Sequence, residues 1–339
     1  MSLTMRQGGP QLSAASNVNA HRLTTPENPI EFANGALRTA SLTHEFPIEY
    51  IRCTIEGSIN VGTASAFHAR GVWNVIDELT LSLNGNTPVF QAQGYQLPYI
   101  HRIYYGAKPY TENDGIGSTG DANIFSSFII PLDVGGYNSL LDASDQKALQ
   151  LQCRWGNVSD MTDGTGSVTA NDDLVLTIEP FVIAGVADGE PGGKNAGYLS
   201  QRILNQSHTV TAQKPDFEIE LMSGRGYHGL TIFADSDGSL VDSIMNEVRL
   251  RRTGNTHLEL SDQQVRAANW DRYRLDSFAS RTGDGQDSWV GIYHVPIVED
   301  GHPEQTLSVK PNQAMSLLCD VDNPGSDDRL EVLSHYFVR

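Results

Sequence analysis

The sequence has only three cysteines, Cys53, Cys153 and Cys319, an odd number without metal-ligand spacing, so a disulfide framework is not its source of stability. It is poor in basic residues: 23 Lys and Arg stand against 41 Asp and Glu, for a formal charge of -18. With no basic cluster it has nothing to neutralise a row of phosphates, and direct nucleic-acid binding is not expected. So acidic a surface is repelled as a whole by anionic lipid head groups, although a local patch could still touch a membrane; its simpler uses are solubility and cation-dependent assembly. Long apolar runs are missing too. No stretch approaches the roughly 20 uncharged apolar residues of a membrane helix. Met1 to Gly9 lacks the apolar centre of a signal peptide, so a soluble protein made and kept in a cytoplasm is expected. Nor is there a long segment of 3.6-residue period, which argues against a helical fold.

What the chain does have is a repeat. Val75-Ile76-Asp77-Glu78-Leu79-Thr80-Leu81-Ser82-Leu83-Asn84-Gly85-Asn86-Thr87 aligns without a gap on Ile244-Met245-Asn246-Glu247-Val248-Arg249-Leu250-Arg251-Arg252-Thr253-Gly254-Asn255-Thr256. Six further blocks keep the same order. Tyr50 to Ile55 matches Tyr227 to Ile232, and two segments expected to be short helices, Gln93 to Tyr105 and Ser261 to Tyr273, follow the hairpins. The second opens on Ser261-Asp262-Gln263-Gln264, a capping-box pattern, while Pro98 interrupts the first. Gly- and Asp-rich loops come next, Gly106 to Ala122 and Ser277 to Ser288, each with a Thr-Gly-Asp triplet (Thr119 to Asp121, Thr282 to Asp284). Strands bearing Pro131 and Pro296 follow, and proline in a strand implies an edge or a bulge. Leu149 to Trp155 then matches Met315 to Val321, and Leu174 to Val182 matches Leu330 to Val338.

Alternation along these blocks sets the core. Ile51, Cys53 and Ile55 share one strand face, as do Leu149, Leu151, Cys153 and Trp155, and Met315, Leu317, Cys319 and Val321, so the three cysteines are expected as small apolar core residues. In a chain of 339 residues with 32 Gly and 15 Pro, the pattern predicts an all-β protein. The expected architecture is two tandem eight-stranded jelly-roll barrels, a double jelly roll, with a short helix in each. The expected division is an N-terminal arm over 1–27, a first jelly roll over 28–184, a flexible Gly/Pro-containing linker over 185–200 and a second jelly roll over 201–339.

The order of these elements resembles that of the double jelly-roll major capsid proteins of tailless icosahedral viruses, the adenovirus hexon-like lineage that includes internal-membrane bacteriophages. The resemblance rests on the duplicated hairpins, the helix after each, the matched Pro131 and Pro296 strands and the final strand, and it covers about Phe46 to Arg339. It implies a major capsid protein that assembles as pseudo-hexagonal homotrimers into an icosahedral virus shell, made in the host cytoplasm and residing in the virion. Its implied partners are other copies of itself, minor capsid or spike proteins, and a lipid membrane reached through the N-terminal arm, where Arg6, His21 and Arg22 give mild positive character.

No constellation points to chemistry. Two jelly rolls also describe bicupins, but none of the ten histidines forms a His-x-His pair; His68, His228, His257 and His294 fall on different expected elements. Glu78 and Glu247 occupy equivalent positions and read as a shared outward salt bridge or inter-barrel contact rather than a catalytic pair. Asp235-Ser236-Asp237-Gly238 and Asp320-Val321-Asp322-Asn323 are fragments of calcium loops without the closing Glu, and read as turns. Catalytic, cofactor-binding and metal residues are therefore expected to be none, with no cofactor and no enzymatic activity. The alternative reading is a carbohydrate-binding or glycan-hydrolysing double β-sandwich, in which Trp73, Tyr104, Tyr105, Trp270 or Trp289 would stack on sugars.

Overall fold

A computed structural model of the chain describes residues 21–24, 26–63, 71–113, 119–134, 139–162, 167–190, 192–236, 238–273, 290–298, 306–311, 313–322 and 324–338. The first barrel contains β1 (His21–Thr24), β2 (Leu37–Leu42), β3 (Ile48–Val61), β4 (Ile76–Leu83), β5 (Thr87–Gln93), helix α1 (Leu97–Tyr105), β6 (Gly120–Pro131), β7 (Leu149–Trp155) and β8 (Val175–Ala184). The second contains β9 (Ser200–Thr209), β10 (Lys214–Leu221), β11 (Gly226–Ser236), β12 (Met245–Arg252), β13 (Asn255–Ser261), helix α2 (Asp262–Tyr273), β14 (Ile292–Pro296), β15 (Met315–Val321) and β16 (Arg329–Val338).

Strand order repeats. The first barrel packs a sheet β1-β8-β3-β6 against a sheet β2-β7-β4-β5, and the second packs β9-β16-β11-β14 against β10-β15-β12-β13, all neighbours antiparallel. The fold is all-β, a double jelly roll with a short helix in each barrel. Period-two alternation places the cores: in β7, Leu149, Leu151, Cys153 and Trp155 are buried while Arg154 is exposed. All three cysteines are buried free thiols, and burial raises their pKa values.

Turn chemistry repeats as well. Asn84 and Gly85 join β4 to β5 with φ of 53° and 74°, and Thr253 and Gly254 join β12 to β13 with φ of 49° and 83°. Two successive left-handed residues make the turn whose twist matches that of the strands, and Asn-Gly suits it better than a β-branched Thr. Each helix is closed by a reaching side chain. Gln93 N–H donates to Gln96 Oε1 at 2.9 Å ahead of α1, and Ser261 N–H donates to Gln264 Oε1 at 2.9 Å with Gln264 N–H returning to Ser261 Oγ at 3.3 Å ahead of α2. Pro98 falls in the first turn of α1, where no intrahelical donor is missed.

Three expectations need correction. A residue is bulged out of each third strand, Glu49 between the Phe181–Tyr50 and Val182–Ile48 pairs, and His228 between Tyr227–Tyr336 and Gly229–His335. The bulged carbonyls play one role: Glu49 O accepts Leu132 and Asp133 N–H, and His228 O accepts Ile297 and Val298 N–H, just past Pro131 and Pro296. Glu49 is thus the counterpart of His228, Tyr50 of Gly229 and Phe181 of His335, two residues away from the gapless pairing of Tyr50 with Tyr227 and Phe181 with Phe337. The connection after β8 is also folded rather than loose. Gly189 N–H bonds to Lys194 O, Tyr198 Oη bridges Gly192 N–H and Gly193 O, and Asn195 N–H reaches Asp142 Oδ2 at 2.7 Å. Likewise β1 lies within the segment expected as an arm, pairing His21 with Ala184 and Thr24 with Phe181.

Candidate functional site

The buried polar groups of this chain gather at the seam between the barrels. In β16 the burial does not alternate: every residue from Leu330 to Phe337 is buried. Leu330, Val332 and Tyr336 face the second barrel's own core, whereas Leu333 joins the first barrel's core together with Ile203, Phe233 and Ile292. Sheet β9-β16-β11-β14 is therefore buried on both faces, one packing inward and the other onto the first barrel.

The first barrel meets that face with α1 and the turn before it. Tyr95 and Tyr99 place their rings edge-on to Phe233, centroids 5.7 and 5.9 Å away. Glu331, 3% exposed, accepts Gln93 Nε2 at 2.9 Å on one carboxylate oxygen, and Tyr95 Oη at 2.8 Å and Gln96 Nε2 at 2.7 Å on the other. Three donors from one barrel thus satisfy a carboxylate of the other, which makes its burial tolerable. The backbones join too: β5 and β9 pair in parallel, Phe90 opposite Ile203 and Gln91 opposite Leu204, so one sheet runs through both barrels.

Beyond Glu331 the seam holds three histidines. His294 Nδ1 and His335 Nε2 lie 2.8 and 2.9 Å from Thr231 Oγ1, His335 Nδ1 lies 2.9 Å from Tyr104 Oη, and Gln201 Nε2 donates to Tyr104 Oη at 2.8 Å. The His228 ring, aimed into the seam by the bulge, stacks on Phe337 at 4.8 Å and stands 5.9 Å from the His335 ring. Burial pushes His228 and His294 down to about 3, Arg272 adding to the effect on His294. His335 is lowered well below its ordinary value by burial and then by the other two histidines.

The residues singled out in the sequence distribute unevenly over this geometry. His228 and His294, which looked scattered, come together; His257 is exposed and His68 lies outside the described residues. Glu78 and Glu247 do not share one salt bridge. Glu247 pairs with Arg249 at 2.8 Å, whereas Glu78 accepts Gln91 Nε2 at 3.0 Å and Thr80 Oγ1 at 3.2 Å, because Thr80 stands where the second copy has Arg249. Asp235 accepts Gly238 N–H at 3.0 Å as a turn residue, and Asp237 and Asn323 lie outside the described residues. Among the described residues no group of His, Cys, Asp and Glu is arranged to hold a metal ion.

Of the aromatics considered for sugar stacking, Trp73 is buried, Tyr104 is in the seam and Tyr105 packs against Tyr50. Trp289, the Trp270 side chain and the loop Ser277 to Ser288 lie outside the described residues. Asp121 of the first Thr-Gly-Asp triplet accepts Asn60 and Asn171 side-chain amides. No described helix is long and apolar enough to cross a membrane. The residues missed beforehand were Gln93, Tyr95, Gln96, Gln201, Thr231, His335 and Glu331; a Glu and a His inside the apolar run of β16 were the available signal.

No family model matches the chain, and no curated protein matches it. Solved structures do. The major capsid protein of the virus STIV is 15% identical with a TM-score of 0.71, over 94% of this chain and 97% of that one. A chain of the atomic structure of Sulfolobus turreted icosahedral virus is 14% identical with a TM-score of 0.72, over 94% and 90%. The major capsid protein P2 of bacteriophage PM2 is 10% identical with a TM-score of 0.58, over 94% and 97%. The chain thus shares the double jelly-roll fold of these capsid proteins along nearly its whole length.

Proposed function

We propose that this protein is a major capsid subunit that associates with copies of itself as pseudo-hexagonal trimers, which tile an icosahedral shell and do no chemistry of their own. One observation carries the reading: the chain uses one half of each complementary surface and leaves the other half open. The helix side of the first barrel is occupied by the second barrel, and the second barrel's outer sheet face is occupied by the first. Among the described residues no other barrel covers the counterpart of either.

On α2, Gln263, Ala267 and Arg272 stand at the positions of Tyr95, Tyr99 and Tyr104, and Gln263 and Ala267 are exposed like Arg272. On the first barrel's outer face, Thr54, Thr177 and Phe181 stand where the second has Phe233, Glu331 and His335. There Tyr50 stacks on Phe181 at 4.3 Å, with Arg52 above that ring at 4.8 Å and 3.6 Å from Glu179. A second copy whose α2 lies on this face repeats the internal seam head to tail, and three copies close six barrels into a ring. In that ring Arg272 meets the Phe181 ring.

In this reading each barrel is a domain, and the segment before β1 reaches neighbouring capsomers or a membrane beneath the shell. Minor capsid or spike proteins are further partners, nucleic acid is not touched directly, and the chain is made in the host cytoplasm before entering the virion. Light scattering after size exclusion tests the central point. A mass of three times 37.0 kDa, or shell-like particles by electron microscopy, is expected, while a stable monomer at all concentrations overturns the reading.

A further inference from the structure

We propose that the seam between the barrels is an acid-sensitive lock, which holds while His228, His294 and His335 are all neutral and loosens when the solution turns acid. This goes beyond the capsid reading and does not depend on it. The geometry carries it. Gln201, Tyr104, His335, Thr231 and His294 form one hydrogen-bonded chain across the seam, with contacts of 2.8 to 2.9 Å. In either direction of that chain, His335 uses one ring nitrogen as donor and the other as acceptor, the pattern of a neutral imidazole. A second proton on His335 reverses a link and drives the Tyr104 or Thr231 hydroxyl hydrogen out of line.

The surroundings offer a charged imidazole little help. His335 is 1% exposed and His294 5%. Thr231 and the bulged His228 of β11 lie against them, with Phe337 of β16 stacked on His228; Tyr104 of α1 meets His335 with Gln201 of β9 behind it, and α2 brings the positive charge of Arg272 towards His294. The histidine rings lie 5.7 and 5.9 Å apart about His335, so each proton taken up makes the next harder. Glu331, the carboxylate on the same face of β16, is already engaged by Gln93, Tyr95 and Gln96.

The sign follows from linkage. All three groups are depressed in the folded chain, two of them to about 3, while the unfolded chain binds protons near the ordinary histidine value of 6.5. Stability is therefore fully present above about pH 6.5 and is lost as pH falls from there towards 3. Each histidine lowers the folding equilibrium constant by about tenfold per pH unit in that window, and the three together by about a thousandfold.

The test is urea unfolding of the full chain from pH 8 to pH 4, comparing wild type with His335→Gln and His294→Gln, together with NMR titration of the wild-type histidine rings. The assigned ring signals of His228, His294 and His335 are expected to stay neutral between pH 7.5 and 5 while the fold persists, alongside that of His101, which burial lowers to about 4 outside the lock. Each variant is expected to lose about one factor of ten per pH unit from the wild-type slope, whatever its stability at pH 8. Ring signals that all titrate near pH 6.5 in the folded protein, or variants with the wild-type slope, overturn the proposal; the NMR arm decides even if neither variant folds.

Discussion

The two barrels have the same strand order but opposite fates for their outer sheets. The face of β9-β16-β11-β14 carries Phe233, Glu331, Leu333 and His335, all at 5% exposure or less, whereas the matching face of β1-β8-β3-β6 carries Thr54, Thr177, Glu179 and Phe181, and the side chains of Arg52 and Glu179 there are 43% and 40% exposed. Duplication thus preserved the scaffold while the two surfaces diverged. The copy that is always covered became aromatic and hydrogen-bonded. The other, which no second barrel covers among the described residues, stayed mixed and charged.

Substitutions at matched positions sharpen that difference. Phe233→Ala should have the largest effect, a loss of roughly 4 kcal/mol in urea unfolding, because it empties the site between Tyr95 and Tyr99. Its counterpart Thr54→Ala should cost less than about 1 kcal/mol in the isolated chain. If both cost the same, the asymmetry of the faces is wrong. Glu331→Ala comes next, at roughly 3 kcal/mol, since it leaves three buried donors without their acceptor. The equivalent Thr177→Ala should be near neutral.

Ala267→Trp should leave the unfolding midpoint almost unchanged while lowering the mass seen by light scattering; a change in midpoint without one in mass would place α2 in the fold instead of the assembly. The smallest effect is a gain. Thr253→Asn should stabilise by roughly 1 kcal/mol, because it gives the second hairpin the Asn-Gly turn that the first has and relieves a β-branched residue held at φ 49°.

The strands, the hairpins and both helices were legible because each is a local matter: alternation, turn residues with positive φ, and capping side chains within one turn. The jelly-roll order was legible because it occurs twice. The seam was not. Whether Leu333 packs into its own barrel or joins the core of the neighbouring one is something no periodicity encodes, and positions 228, 294 and 335 are separated by entire strands. The bulges at Glu49 and His228 were hidden by the gapless alignment itself. A slip of two residues keeps the same alternate positions facing the core, so Tyr50 against Tyr227 looked as convincing as the true match. Glu78 and Glu247 misled for a related reason: identity at one position says little when the neighbour two residues on is Thr80 in one copy and Arg249 in the other.

The parallel pairing of Phe90 with Ile203 has a mechanical side. Because hydrogen-bonded backbone runs without interruption from β2 to the far edge of the second barrel, the angle between the barrels cannot change without tearing that ladder. Among the described residues the barrels are thus held together like one plank, and a closed container built from such planks would take up its bend at the joints between them.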